Sequence, residues 1–343
     1  ATSGPPVSTH PAGLMSEETA RELMMAGSSM GESQAAALAL QVESRPSDLP
    51  ARIQLLSYCF FRRGKDPQAV QARADHVLYI IRHHPAEPIA GLPPAQLHPV
   101  VDGRAYEQAR DLWIEQSERY KDNPAVLGNA ASFLTLHESE HAEKLLQRAA
   151  SLEPDSPEWP RNLGYLYKRN MSGSSGQERQ QWASKALEQL QRCRDLKRDS
   201  SQFYLLNDLA KTAFEAGDLE LATRYSRELL DAAERHREDW NYGNAIHDGH
   251  LVLGRVALRG GNLDEAKQQL LESGKTPGSP PLNSFGPNLM LAKELIDAGE
   301  RDSVLAYLEA IGEFWKLGLE RLDQWKVAIR SGGNPDFGAN LVY

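Results

Sequence analysis

The chain is poor in the features that usually announce a chemistry. It has two cysteines, Cys59 and Cys193, far apart and both within helical patterns. A disulfide framework is thereby excluded, and two small buried apolar residues are expected instead. No apolar run approaches the roughly 20 residues that a membrane-crossing helix needs. Cationic excess is missing too: 38 Lys and Arg stand against 47 Asp and Glu, a formal net charge of -9. Nucleic-acid binders carry the opposite imbalance, so nucleic acid and anionic membrane surfaces are excluded as partners.

What is there is length and helical periodicity. The 343 residues, 41% of them hydrophobic, suffice for two ordinary domains or one extended array. The first residue is Ala1, and the opening ATSGPPVSTHPAG is rich in Pro, Ser and Thr and uncharged. It reads as a flexible arm, residues 1–15, left after removal of a leader. A periplasmic or extracellular location follows as the expectation, with the cytoplasm as the alternative.

Ser16 is placed to cap a first helix whose opening turn carries Glu17 and Glu18. A second helix runs from about Ser33 to Glu43, and the pair reads as a degenerate repeat. A third carries Ile53, Leu56, Tyr58 and Phe60, and a fourth follows Asp66-Pro67. Residues 85–101 hold five prolines and cannot be continuous helix. They are expected to form an ordered loop, which ends the N-terminal section at residues 16–101. Asp102 is expected to cap the next helix, which turns Tyr106, Leu112 and Trp113 inward.

From Asn123 onward a helix–turn–helix pattern recurs. Its clearest copy is Asn244–Ser273, where Leu253-Gly254, Ala257, Gly261-Asn262, Ala266 and Leu270 suit two antiparallel helices around a tight turn. Other copies carry Ala130, Phe133 and Ala142; Leu163-Gly164, Tyr167 and Ala186; Leu209-Ala210, Gly217-Asp218 and Ala222; and Leu291-Ala292, Gly299-Glu300 and Leu308. This spacing resembles the tetratricopeptide repeat.

The resemblance implies an all-α fold, a right-handed α-solenoid with the array over residues 102–316. A capping helix and apolar tail, residues 317–343, are expected to close it. The resemblance also implies a concave groove lined by Asn207, Lys211, Asp248 and Arg255, where a protein or peptide would bind. The Lys/Asn/Arg set with which some such repeats clamp a peptide carboxylate is incomplete here. The C-terminal third, with its words YGNAIHDGH, GKTPGS, NSFGPN and PDFGANLVY, resembles a module of bacterial repeat proteins to which no activity is attached.

The repeat is irregular. The alanines at 142, 186, 222 and 266 are 44, 36 and 44 residues apart, against a family period of about 34. An expanded turn, NMSGSSGQ, accounts for the first excess. For the second, the pattern predicts helices longer than standard, with Leu229 to Trp240 in one helical register. A specialised surface is therefore expected between residues 240 and 288.

Candidate chemical motifs are few. His137-Glu138-Ser139-Glu140-His141 matches the zinc-hydrolase pattern H-E-x-x-H, which needs both histidines one turn apart on a single helix. The repeat register instead puts these residues on a solvated turn. Gly274-Lys275-Thr276 imitates the end of a phosphate loop, but its earlier glycine is missing and a helix C-terminus is the better reading. Asn244, His247, Asp248 and His250 cluster at the start of the best repeat, where His247 and His250 could share a face and contact a ligand or a metal. Structural hydrogen bonding explains them as well. Asn170-Met171-Ser172 fits the glycosylation pattern on a turn.

The expectation is a non-enzymatic scaffold without cofactor or metal. It would bind another protein or peptide through Asn207, Lys211, Asn244, His247, Asp248, His250 and Arg255. One alternative is a structural subunit that assembles with its own copies through the ends of the array and the terminal tails. Another is a zinc hydrolase using His137 and His141.

Overall fold

The computed structural model describes residues 13–64, 66–197 and 202–341. Among them the fold is all-helical, with 18 α-helices, several short 3-10 turns and no strand. The chain divides into two compact units, Ala1–Trp159 and Pro160–Tyr343.

The N-terminal unit holds α1 (Glu17–Ser28), α2 (Glu32–Ser44), α3 (Leu49–Arg62), α4 (Pro67–His83), α5 (Pro99–Asp102), α6 (Arg104–Arg119), α7 (Pro124–Leu134) and α8 (Ser139–Leu152). Their starts follow from side-chain caps: Ser16, Asp48, Asp66 and Asn123 each accept a backbone N–H of the first turn. Helix α3 packs on α1, α2 and α4, and α7 packs on α8. The proline-rich stretch is ordered, as two 3-10 turns, Pro88–Gly91 and Pro93–Ala95, that bury Ile89, Ala90 and Ala95.

One expected cap is corrected here. Asp102 does not start the following helix; Gly103, at φ 46°, stands at its N-terminus with no side-chain cap. The Asp102 carboxylate instead accepts the His98 N–H at 2.7 Å and pairs with Arg73 at 3.2 Å, both side chains almost fully buried. Arg73 also donates to the Pro94 carbonyl at 2.9 Å and to that of Gln96. A buried guanidinium needs several acceptors, and the loop's unpaired carbonyls supply them. Arg73 thus fastens the proline-rich segment to α4.

The C-terminal unit holds α9 (Glu158–Ser172), α10 (Gly176–Leu196), α11 (Gln202–Ala216), α12 (Leu219–Arg235), α13 (Tyr242–Arg259), α14 (Leu263–Ser273), α15 (Pro280–Phe285), α16 (Met290–Asp297), α17 (Arg301–Ile311) and α18 (Leu319–Arg330). Each helix from α10 to α14 packs against the next, α11 also touches α13, and α13 also touches α16.

Three of the turns are the same turn. Gly217, Gly261 and Gly299 have φ of 84°, 76° and 91°. The N–H of the next residue (Asp218, Asn262 and Glu300) reaches the carbonyl five residues back at 3.0, 2.9 and 2.9 Å. The glycine's own N–H reaches three residues back, which completes a Schellman turn. Asp218 and Asn262 then cap the second helix of their pairs. A glycine and an Asx residue therefore specify the same reversal repeatedly.

Two irregularities are placed differently from expectation. Around residue 170 the chain stays helical to Ser172 and turns only over residues 173–175, so the extra length lies in the 21-residue α10 rather than in a long turn. Asn170 is consequently helical. Helices α12 and α13 are long, 17 and 18 residues, but the helical register breaks at Arg235 and Trp240 lies in the turn between them. The stripe Leu322, Trp325 and Ile329 is buried on α18 against α17, as a cap requires, while Leu319 is exposed. Phe337 is buried in the tail; Val342, Tyr343 and the first 12 residues of the arm expected at residues 1–15 lie outside the described residues.

Candidate functional site

The seven candidate residues all lie in the C-terminal unit, on α11 and α13, and three of them, Asn207, Lys211 and Asp248, touch one another. Lys211 Nζ lies 2.7 Å from Asp248 Oδ2, and Asn207 donates to the same carboxylate oxygen at 2.9 Å. Asn241 donates to Asn207 Oδ1 at 3.0 Å, and Asn244 donates to Asn241 Oδ1 at 3.1 Å. Ser279 donates to Asn244 Oδ1 at 2.6 Å. An unbroken polar chain thus runs from α11 through the start of α13 to the loop after α14.

Burial alone would raise the Asp248 carboxyl; the Lys211 ammonium and the Asn207 amide outweigh it and hold it below the usual carboxylate range. The carboxylate is enclosed, with Lys211 and Asn207 both on its Oδ2.

His247 and His250 do not act together. His247 is fully buried with Nδ1 3.3 Å from the Ser273 carbonyl, and burial pushes its pKa down. His250 Nδ1 meets Gln269 Oε1 at 2.7 Å. Each fixes α13 to α14 at a different level.

Arg255 is the centre of a second array. It approaches Glu294 at 2.8 Å and Glu215 at 3.0 Å, and its guanidinium lies 4.2 Å from the centroid of the Phe214 ring. Glu215 in turn accepts from Arg179 at 2.6 Å. The alternation Arg179–Glu215–Arg255–Glu294 crosses α10, α11, α13 and α16. Burial opposes ionisation of Glu215, but the two guanidinium groups lower its pKa overall.

The four distinctive words of the C-terminal third also find one another. Thr276 donates to the Gly243 carbonyl at 2.8 Å, and a Cβ on Gly243 would overlap the Gly278 carbonyl. Asn340 donates to the carbonyls of Phe285 and Pro287 at 3.1 and 3.0 Å, and its own carbonyl accepts the Leu289 N–H at 2.8 Å. Gly286 lies against the Trp315 indole, where a side chain would not fit. YGNAIHDGH, GKTPGS, NSFGPN and the tail are thus parts of one clasp that closes residues 274–289 over the unit. The phosphate-loop imitation is resolved by the same contacts: Thr276 binds Gly243, and Lys275 pairs with Glu272 at 2.6 Å.

In the N-terminal unit, the H-E-x-x-H residues do not share a helix. His137 lies on the turn after α7, Glu138 is the residue before α8, and only His141 is helical. The His137 ring packs edge-on to Tyr106 and His98, with centroids 5.5 and 5.3 Å away. Among the described residues no group of three or more His, Cys, Asp or Glu is arranged to hold a metal. Both cysteines are buried and neither is in a disulfide, and burial pushes the Cys59 thiol up to about 11.

The candidate residues are therefore tied into contacts within the unit, and exposed features remain that the pattern of helices did not reveal. Tyr165, Tyr204 and Trp240 present their rings to solvent. Only an aromatic placed against the helical register signals them in sequence, and the expectation that Trp240 continued a helix hid it. No protein-family model and no curated protein matches the chain.

Proposed function

We propose that the chain is a non-enzymatic scaffold for protein–protein contacts, built as a right-handed α-solenoid of tetratricopeptide type. The observation that supports this reading is the Schellman turn repeated at Gly217, Gly261 and Gly299, each joining paired helices that pack on their neighbours. Repeats of this kind bury a continuous core by stacking and present an extended surface on which side chains vary freely. Asn207, Lys211, Asp248 and Arg255 serve this reading as the struts of the array; the contact surface lies on its exposed side chains. The test is affinity capture from the native extract with the full chain, followed by reciprocal capture with the protein recovered. Stoichiometric recovery both ways supports the scaffold, and recovery of nothing but the chain itself contradicts it.

A second reading, a subunit that assembles with its own copies, is favoured by one feature. Phe285 and Leu317 are 75% and 80% exposed on two elements packed together near the C-terminal end, α15 and the 3-10 turn Lys316–Gly318. Light scattering on the full chain and on Phe285→Glu/Leu317→Glu decides it: an oligomer dissociated by the variant supports this reading, and a monomer in both cases ends it.

A further inference from the structure

Three exposed rings stand on alternate helices of the C-terminal unit or just before one: Tyr165 on α9, Tyr204 on α11 and Trp240 just before α13, at 45%, 40% and 55% exposure. They are held firmly. Tyr204 donates its hydroxyl to Asp239 Oδ2 at 2.6 Å, and its ring is stacked on Trp240 with centroids 5.7 Å apart and planes 13° from parallel. Asp208, one helical turn beyond Tyr204 on α11, pairs with Lys168 of α9, whose ammonium lies 5.5 Å from the centroid of the Tyr165 ring. The Tyr204 ring is thus fixed at its hydroxyl and on the face it shares with Trp240, and Tyr165 is held beside the Lys168–Asp208 pair. A side chain already immobilised loses little entropy when something docks on it.

Charge singles out the same face. Arg161, Tyr165 and Arg169 recur at every fourth position of α9 and share one side of it. Neither arginine has an ion-pair partner among the described residues, whereas Arg179, Arg194 and Arg255 of the same unit are all paired. In a chain of net charge -9, these two guanidinium groups set unpaired positive charge beside the Tyr165 ring.

We infer that the face formed by Arg161, Tyr165, Arg169, Tyr204 and Trp240 takes an extended acidic peptide that contains proline. Proline rings stack on aromatic faces, and a polyproline II segment is already extended, so ordering it costs little. Guanidinium groups receive carboxylates as paired, charge-assisted hydrogen bonds. An acidic oligosaccharide would meet the same rings and arginines. It also needs free acceptors for its hydroxyls, and the carboxylates beside the rings are already occupied, Asp208 by Lys168 and Asp239 by the Tyr204 hydroxyl. The observations therefore favour the peptide.

This inference rests on the scaffold reading and deepens it. The test uses the full chain and a fluorescein-labelled octapeptide of alternating Glu and Pro, followed by anisotropy. The expected result is saturable binding that weakens about tenfold or more in Trp240→Ala and in Arg161→Glu/Arg169→Glu, the equivalent of about 1.4 kcal/mol. Added salt should weaken it too, and the Lys-Pro counterpart should not bind. Tyr204→Phe keeps the ring while releasing Asp239, so it should lose affinity by a smaller factor. Because these side chains are exposed, far-UV circular dichroism should be unchanged in every variant.

No saturation, equal binding of the Lys-Pro peptide, or undiminished binding by the Trp240 variant overturns the inference, as does an oligoguluronate that binds where the peptide does not. If the peptide fails while a reciprocally captured partner is retained by Trp240→Ala, this inference falls and the scaffold reading stands. If no partner is captured at all, both fall.

Discussion

Lys211 and Asp248 meet inside the C-terminal unit, ammonium to carboxylate at 2.7 Å, from helices α11 and α13. Asn207 shares the same carboxylate oxygen. The pair joins one helical hairpin to the next, and it does so where a ligand-binding groove was expected. Removing one member leaves a buried charge without its partner, which costs far more than the intact pair contributes.

Lys211→Met should therefore destabilise the protein by about 3–5 kcal/mol. The double variant Lys211→Met/Asp248→Asn should recover part of that loss, because it removes the stranded charge. Urea unfolding of the two single variants and the double variant gives the coupling directly.

The repeated turn makes a second prediction. An L-residue at φ above +70° is strained, so Gly217→Ala and Gly261→Ala should each lower stability by about 1–2 kcal/mol. Gly260→Ala, one residue earlier at φ -80°, should be near neutral or slightly stabilising. Thermal melts of the three variants distinguish the cases.

These turns were the most legible part of the sequence. A glycine followed by Asp or Asn carries its own geometry, so Gly217-Asp218 and Gly261-Asn262 could be placed without knowing what surrounds them. The caps at Ser16, Asp66 and Asn262 follow the same local logic. Asp102 was misplaced because its partner, Arg73, lies 29 residues away, and a buried ion pair outcompeted the local cap. Asn207, Asp248 and Arg255 were found as a group, but their roles depend on partners 34 to 41 residues away, which no local pattern reveals. Trp240 was read into a helix because the apolar spacing continued past Arg235, where the chain had already turned.

Acid should act on the N-terminal unit earlier than carboxylate titration alone implies. His76 is partly buried beside Arg52, with its Nδ1 3.3 Å from the guanidinium, and desolvation first and that charge second lower its pKa to about 4; Asp75 opposes them weakly. The unfolded chain takes up this proton near pH 6.5 and the folded chain does not. Stability contributed by neutral His76 is thus complete above pH 6.5 and is lost as pH falls from there toward 4, by about 1.4 kcal/mol per pH unit. His76→Gln should flatten that slope in denaturant unfolding between pH 6.5 and 4.5.

The Arg255 array should be as sensitive as the Lys211 pair. Arg255→Met leaves Glu294 and Glu215 without their shared cation and should lower stability by several kcal/mol, about 3 or more. Glu215 retains Arg179, so Glu294→Gln should be milder than Arg255→Met. Comparing their melting temperatures orders the two.

The central claim is that the distinctive words of the C-terminal third are a clasp rather than a ligand site. Hydrogen exchange followed by mass spectrometry on the full-length protein, wild type against Asn244→Ala, tests it most directly. Asn244 links Asn241 to Ser279, so its loss should free residues 274–289 to exchange at least about tenfold faster. Helices α11 and α12 should keep their protection. Unchanged exchange over residues 274–289, in a variant that is folded, would contradict the claim.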